Sequence, residues 1–108
     1  MSYKSLNINS SFTAANVGEN TKARIRMKDG VLQIRFTDRT SLVNLPKTEQ
    51  VANLSVKGNG RRLGLRSEYS AHLEAGSKVA LVDPKYGWFT VVPVAAGDAS
   101  VAASISAS

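Results

Sequence analysis

Residues 21–36 read TKARIRMKDGVLQIRF, two alternating runs on either side of Asp29-Gly30, and they set arginine against arginine. A two-residue Asp-Gly loop favours a type I′ hairpin, because both central residues of that turn need positive φ. Lys28 then faces Val31, and each earlier residue meets its mirror partner. Ala23, Ile25 and Met27 fall opposite Phe36, Ile34 and Leu32 on one face. The other face carries Lys22, Arg24, Arg26 and Lys28 against Thr37, Arg35, Gln33 and Val31. A slip of one residue would exchange the two faces of a strand, so agreement between the runs fixes the register. Like charges directly across a strand pair are unfavourable by a fraction of the roughly 0.2–1 kcal/mol such pairs are worth, so Arg24 opposite Arg35 is not expected to serve stability. Basic residues that only guard a strand against aggregation need be one or two lysines. Four or five cations on one face, mostly arginine, point to a polyanion.

The rest of the composition agrees with a binding surface. The chain has 108 residues and a formal net charge of +6, enough for one domain with a modest core. The charge is regional. Residues 22–66 hold 11 Lys/Arg and 3 Asp/Glu, or +8, whereas residues 67–94 hold 2 Lys and 3 Asp/Glu, or −1. With no cysteine and the single His72, neither a disulfide framework nor a thiolate or multi-histidine metal site is available, and no cofactor is expected. The start, MSYKSLNINSS, lacks the apolar run of a signal peptide, and no stretch approaches the roughly 20 apolar residues of a membrane span. A cytoplasmic protein without membrane contact is expected.

Along the chain, residues 1–20 read as a partly ordered arm with at most a short strand within 6–12. Residues 42–45 look extended, 47–53 suit a single helical turn, and 54–57 and 61–65 suit strands around Gly58-Asn59-Gly60. Ser67 is a plausible N-cap for a short helix through Leu73, with Glu68 in its first turn. A second hairpin joins 78–82 to 88–92 through Asp-Pro-Lys-Tyr-Gly, where Pro84 suits a corner and Gly87 a positive φ. Residues 95–108 are mostly Ala, Ser and Gly and read as a flexible tail. The expected fold is a single mainly β domain over 21–94, its hairpins forming a small barrel or a swapped-hairpin-like sheet, with one or two short helices.

A second basic constellation is VKGNGRRLGLR at 56–66. Gly58 and Gly60 permit close backbone approach, and Lys57, Arg61, Arg62 and Arg66 surround them with donors suited to phosphate. The Gly-Lys-Ser/Thr ending of a P-loop is absent, so nucleotide hydrolysis has no support. Near the second hairpin, Tyr86 and Trp88 stand beside Lys85. In single-strand binders such aromatics stack on bases. Trp88 and Phe89 point to opposite faces of a strand, so at least one belongs to the core, and Tyr86 on the loop is the better stacking candidate. His72 has Ser67, Ser70 and Glu74 nearby in sequence, but a triad needs groups converging from separate elements, and no catalytic residue is nominated.

Residues 60–93 also resemble the AbrB-like swapped-hairpin family of dimeric DNA-binding proteins. The similar features are Gly60-Arg61 opening a strand, Leu63 and Leu65 alternating along it, a short helix with Glu68 and Leu73, and EAGSKVALV (74–82) leading to a closing strand ending at Pro93. Arg66 stands where the family usually has proline, and Ser77 where an acidic residue is common. The resemblance implies a homodimer with interleaved hairpins presenting Arg61 and Arg62 to DNA, and it is the reason DNA is preferred over RNA.

Taken together, the residues lead to a non-enzymatic DNA-binding protein. Its expected contacts are Lys22, Arg24, Arg26, Lys28, Arg35, Arg39, Lys57, Arg61, Arg62, Arg66, Lys85, Tyr86 and Trp88. Either an AbrB-like regulator of double-stranded DNA or a single-strand binder fits them. The alternative is a structural or interaction protein, a viral one for example, whose basic face docks onto an acidic protein.

Overall fold

The computed structural model describes residues 4–37, 49–71, 73–95 and 97–107. In chain order the elements are β1 (Lys4–Ile8), α1 (Ser10–Phe12), a π-helical turn (Thr13–Val17), β2 (Lys22–Lys28), β3 (Val31–Thr37), β4 (Glu49–Asn53), β5 (Ser55–Lys57), β6 (Gly60–Leu65), α2 (Ser67–Ser70), β7 (Lys78–Lys85), β8 (Trp88–Val94) and β9 (Ala103–Ala107). The expected extended run at 42–45, Arg39 and His72 lie outside the described residues.

The β2–β3 hairpin forms in the register that its turn dictates. Lys28 pairs Val31, Ile25 pairs Ile34 and Arg24 pairs Arg35, around Asp29 at φ 54 and Gly30 at φ 79. Ala23, Ile25 and Ile34 are fully buried. Each large side chain so buried contributes about 1.5–3 kcal/mol.

All strand pairs are antiparallel, and the strands form one sheet in the order β4-β2-β3-β8-β7-β9-β1-β6-β5. Its two end strands, β4 and β5, are consecutive in the chain with only Leu54 between them. The sheet therefore curls until its ends meet, making a barrel around one core that draws on β1, β2, β3, β4, β6, β7, β8 and β9. The curl brings β4 beside β6 and so partly covers its edge, while β5 stays an exposed, three-residue end strand. Where β4 and β6 do not pair directly, the Gln50 side chain replaces the ladder: its Nε2 donates to the Gly64 carbonyl at 3.0 Å, and its Oε1 accepts from the Arg66 N–H at 2.9 Å.

Short helices cover the two ends of the barrel. Asn9 caps α1, its Oδ1 accepting from the Phe12 N–H at 2.8 Å. Phe12 then packs on Phe36 and Phe89, with ring centroids 5.2–6.0 Å apart. At the other end of β1, Lys4 Nζ donates to the Ser70 carbonyl of α2 at 3.1 Å, and Tyr69 of α2 is buried in the core. Among the described residues no helix is long and apolar enough to cross a membrane.

Several local expectations are corrected. The presumed arm supplies β1 and the presumed tail supplies β9, both interior strands of the sheet. Leu6, Ile8, Ala103 and Ile105 point inward and are buried, while the Asn7 amide donates to Ser106 Oγ at 2.8 Å outside. Ala and Ser suffice there because small residues alternate in a slot already walled by β7 and β1. The helical turn expected at 47–53 gives way at Glu49–Asn53 to β4, whose pairing with β2 outweighs a weak local preference. Ser67 is the first residue of α2 rather than its cap, which falls on Arg66 without a side-chain bond. In the second hairpin the turn tightens to Tyr86-Gly87, and Asp83 and Pro84 join β7 at a bulge. Segment 60–93 supplies β6, α2, β7 and β8, and each of these strands finds its sheet neighbours within the chain.

Candidate nucleic-acid interface

Strand alternation brings the first cluster together on the outer face of the barrel. Lys22, Arg24, Arg26 and Lys28 project outward from β2 and Arg35 from β3, because the residues between them are the buried ones. The register extends the row across neighbouring strands: Arg24 lies beside Val51 of β4, Arg26 beside Glu49, and Arg35 beside Trp88 of β8. Lys85 pairs with Trp88 from β7. Trp88 is thus an outer-face residue, and Phe89 is the one turned inward.

Trp88 is nevertheless only 6% exposed. The Arg26 guanidinium carbon sits 3.9 Å from the centroid of its ring, and that of Arg24 sits 5.5 Å away. A desolvated cation over an indole face is worth about 2 kcal/mol, an exposed one about 0.5–1. Arg26 is held further by its Nε donating to Gln33 Oε1 at 2.9 Å. Trp88 therefore acts as a platform that fixes arginine positions, and its faces are not free for a base.

The opposition of Arg24 and Arg35 is resolved by divergence of their side chains. Arg24 Nη2 turns toward β4 and meets Glu49 Oε1 at 2.6 Å. Arg35 is exposed and lies over the β7–β8 turn, where a Cβ on Gly87 would stand 3.2 Å from Arg35 Nε. Gly87 thus serves both its φ of +83 and the passage of this arginine. The Arg24–Glu49 contact is close but poorly aligned: Arg24 Nε and Glu49 Oε1 are buried without a well-oriented hydrogen bond among the described residues. Glu49→Gln is expected to lower stability by about 1–2 kcal/mol, less than for a fully buried pair because the Arg24 side chain keeps 30% exposure. It should also strengthen polyanion binding by releasing Arg24. Chemical denaturation and a salt titration of binding check the two effects.

The second basic cluster splits. Arg62 lies on the outer face of β6 and Arg66 is exposed just past its end, but Arg61 has the parity of the buried Leu63 and Leu65 and donates to the neighbouring Gly60 carbonyl at 2.8 Å. Adjacent strand residues face opposite ways, so within this chain Arg61 and Arg62 do not share a face. Arg62 donates to Ser5 Oγ at 3.2 Å and Lys57 to Asn7 Oδ1 at 3.3 Å. Arg66 makes a loose, exposed pair with Glu68 at 3.8 Å. Among the described residues, the ion pairs are those of Arg24 and Arg66, so Lys22, Arg26, Lys28, Arg35, Lys57, Arg61, Arg62 and Lys85 meet no described carboxylate at ion-pair distance.

The two clusters are neighbours around the barrel. Lys22 pairs Asn53, Asn53 is two residues from Ser55 on the same outer side, and Ser55 pairs Arg62. Strand spacing and rise put the Lys22 and Arg62 Cα atoms about 12 Å apart. A shallow groove of about 720 Å³ adjoins the first cluster, with Lys28, Asp29, Val31 and Gln33 on one wall and Asp83, Pro84, Lys85 and Thr90 on the other.

Glu49 and Gly87 were not anticipated as parts of this surface, and Gln33, expected on it opposite Arg26, was not anticipated as that arginine's hydrogen-bond partner. Glu49 could have been found had 49–53 been read as a strand, because alternation then sets it outward with Val51 and Asn53. No family model matches the chain, and neither a curated protein nor a solved structure matches it.

Proposed function

We propose that this protein binds nucleic acid without catalysis, through the outer face of β2, β3 and β8 extended by Arg62 and Lys57 of the adjoining strands. The observation that carries the reading is the row of Lys22, Arg24, Arg26, Lys28 and Arg35 on one hairpin face, where Glu49 is paired to Arg24 and the exposed Asp29 and Asp83 lie at the edge, in the groove beside Lys28 and Lys85. Such a face neutralises phosphates and releases their counterions, so affinity falls steeply with salt. Two arginines are already immobilised on Trp88 and Gln33, which reduces the ordering lost on binding. DNA is the preferred form on the resemblance of residues 60–93 to the AbrB-like family.

The test is titration of the full chain with random-sequence oligonucleotides, single and double stranded, and with polyglutamate, each at low and at physiological salt. Salt-sensitive binding of either oligonucleotide, with polyglutamate weaker, is expected. Binding of polyglutamate alone would favour docking onto an acidic protein, and binding of none would end the proposal.

A further inference from the structure

The same type of two-residue turn occurs twice in this fold, and the two differ in one informative way. At the tip of β2–β3 the left-handed position is held by Asp29, at φ 54, followed by Gly30 at φ 79. Aspartate and asparagine are the residues such a position favours. At the tip of β7–β8 the equivalent position, at φ 53, is held by Tyr86, followed by Gly87 at φ 83. A bulky aromatic is unfavourable in that backbone region. It recovers nothing by packing, since Tyr86 is 93% exposed. A strained, unpacked aromatic on a hairpin tip is a feature the fold does not need.

Its surroundings suggest what it meets. Lys85 is exposed on the residue before it, and the Arg35 side chain crosses the glycine after it. An aromatic ring flanked by cations matches the alternation of base and phosphate along a single strand, where stacking tolerates any base. A duplex keeps its bases stacked on one another and offers such a ring little. Trp88, the other candidate, is covered by Arg26 and Arg24.

We infer that the ligand of this face is single-stranded nucleic acid, with a base stacked on Tyr86 and the flanking phosphates held by Arg35 and Lys85. This rests on the nucleic-acid reading above and adds the strandedness and the stacking residue.

The test compares wild type, Tyr86→Asn and Tyr86→Phe by fluorescence anisotropy with a short labelled oligothymidylate, an abasic strand of equal length, and a duplex. Asparagine suits the turn, so Tyr86→Asn is expected to melt at the same temperature or higher while losing about tenfold in oligothymidylate affinity. Its affinity for the abasic strand and the duplex should be unchanged, and Tyr86→Phe should restore most of the loss. An oligouridylate arm distinguishes DNA from RNA as the source of the strand. If Tyr86→Asn binds oligothymidylate as well as wild type does, stacking is overturned and the phosphate reading stands. If wild type binds none of the three probes, the phosphate reading falls as well.

Discussion

Removal of residues 97–108 is expected to abolish cooperative folding. β9 lies between β7 and β1, pairing along its whole length with β1 and at Ala103 and Ser104 with β7. Its loss exposes Leu6 and Val79, both fully buried, and removes the buried Ala102, Ala103 and Ile105. It also removes the bonds from the Asn9 N–H to the Ala102 carbonyl, from the Ala102 N–H to Val79 and from the Ile105 N–H to Ser77, each 2.9 Å long. Each hydrogen bond contributes about 0.5–1.5 kcal/mol net, and burial of Ile105 adds about 1.5–3 kcal/mol. Together with the ladder bonds to β1 and the exposed Leu6 and Val79, these losses reach the range of a small domain's whole stability, roughly 5–15 kcal/mol. Circular dichroism should show no cooperative melt for the shortened chain. A transition within a few degrees of the full chain would mean that the segment is dispensable.

The largest expected effect on binding comes from replacing Lys22, Lys28 and Arg35 together by alanine. Lys28 and Arg35 are exposed, Lys22 is half-buried with its amine bonded to the Asn53 side chain, and none of the three enters the core. Each lost phosphate contact should reduce the slope of log K against log salt by about 0.7 on a single strand. The triple variant should therefore bind about a hundredfold more weakly at moderate salt. Its melting temperature should hold, because none of the three side chains packs in the core or pairs with a described carboxylate. Arg24 is kept out of the set. Its truncation would leave the Glu49 carboxylate, itself only 7% exposed, without its cation, so Arg24 is structural as well as basic. Unchanged affinity in the triple variant would move the binding surface elsewhere.

Legibility varied with how locally the structure is determined. The β2–β3 hairpin could be read residue by residue because its Asp-Gly turn and its alternation depend only on neighbours in sequence. The β7–β8 hairpin was legible in outline, but Asp83-Pro84 imitated a corner that the bulge absorbs. β1, β4 and β9 depend on strands far away in the chain. Glu-Gln-Val-Ala-Asn at 49–53 suits a helix until β2 is placed beside it, and the alternation of Ala103, Ser104, Ile105 and Ser106 is too low in bulk to register before β7 and β1 wall it in.

The candidate site follows the same division. The cations of β2 and β3 were legible as a face because alternation alone puts them there. The partners that fix their geometry were not: Glu49, Trp88 and Gly87 meet Arg24, Arg26 and Arg35 only once β4 is paired with β2 and β8 with β3. Arg61 was separable from Arg62 by parity alone, a signal that clustering by charge concealed.

The central claim concerns location, and backbone amide chemical-shift mapping of the labelled chain during titration with an oligonucleotide tests it most directly. Perturbations are expected along residues 22–35 and 85–90, weakening toward Lys57 and Arg62, with the outer face of β9 unmoved. Shifts concentrated on β9 and β1, or spread evenly around the barrel, would contradict it.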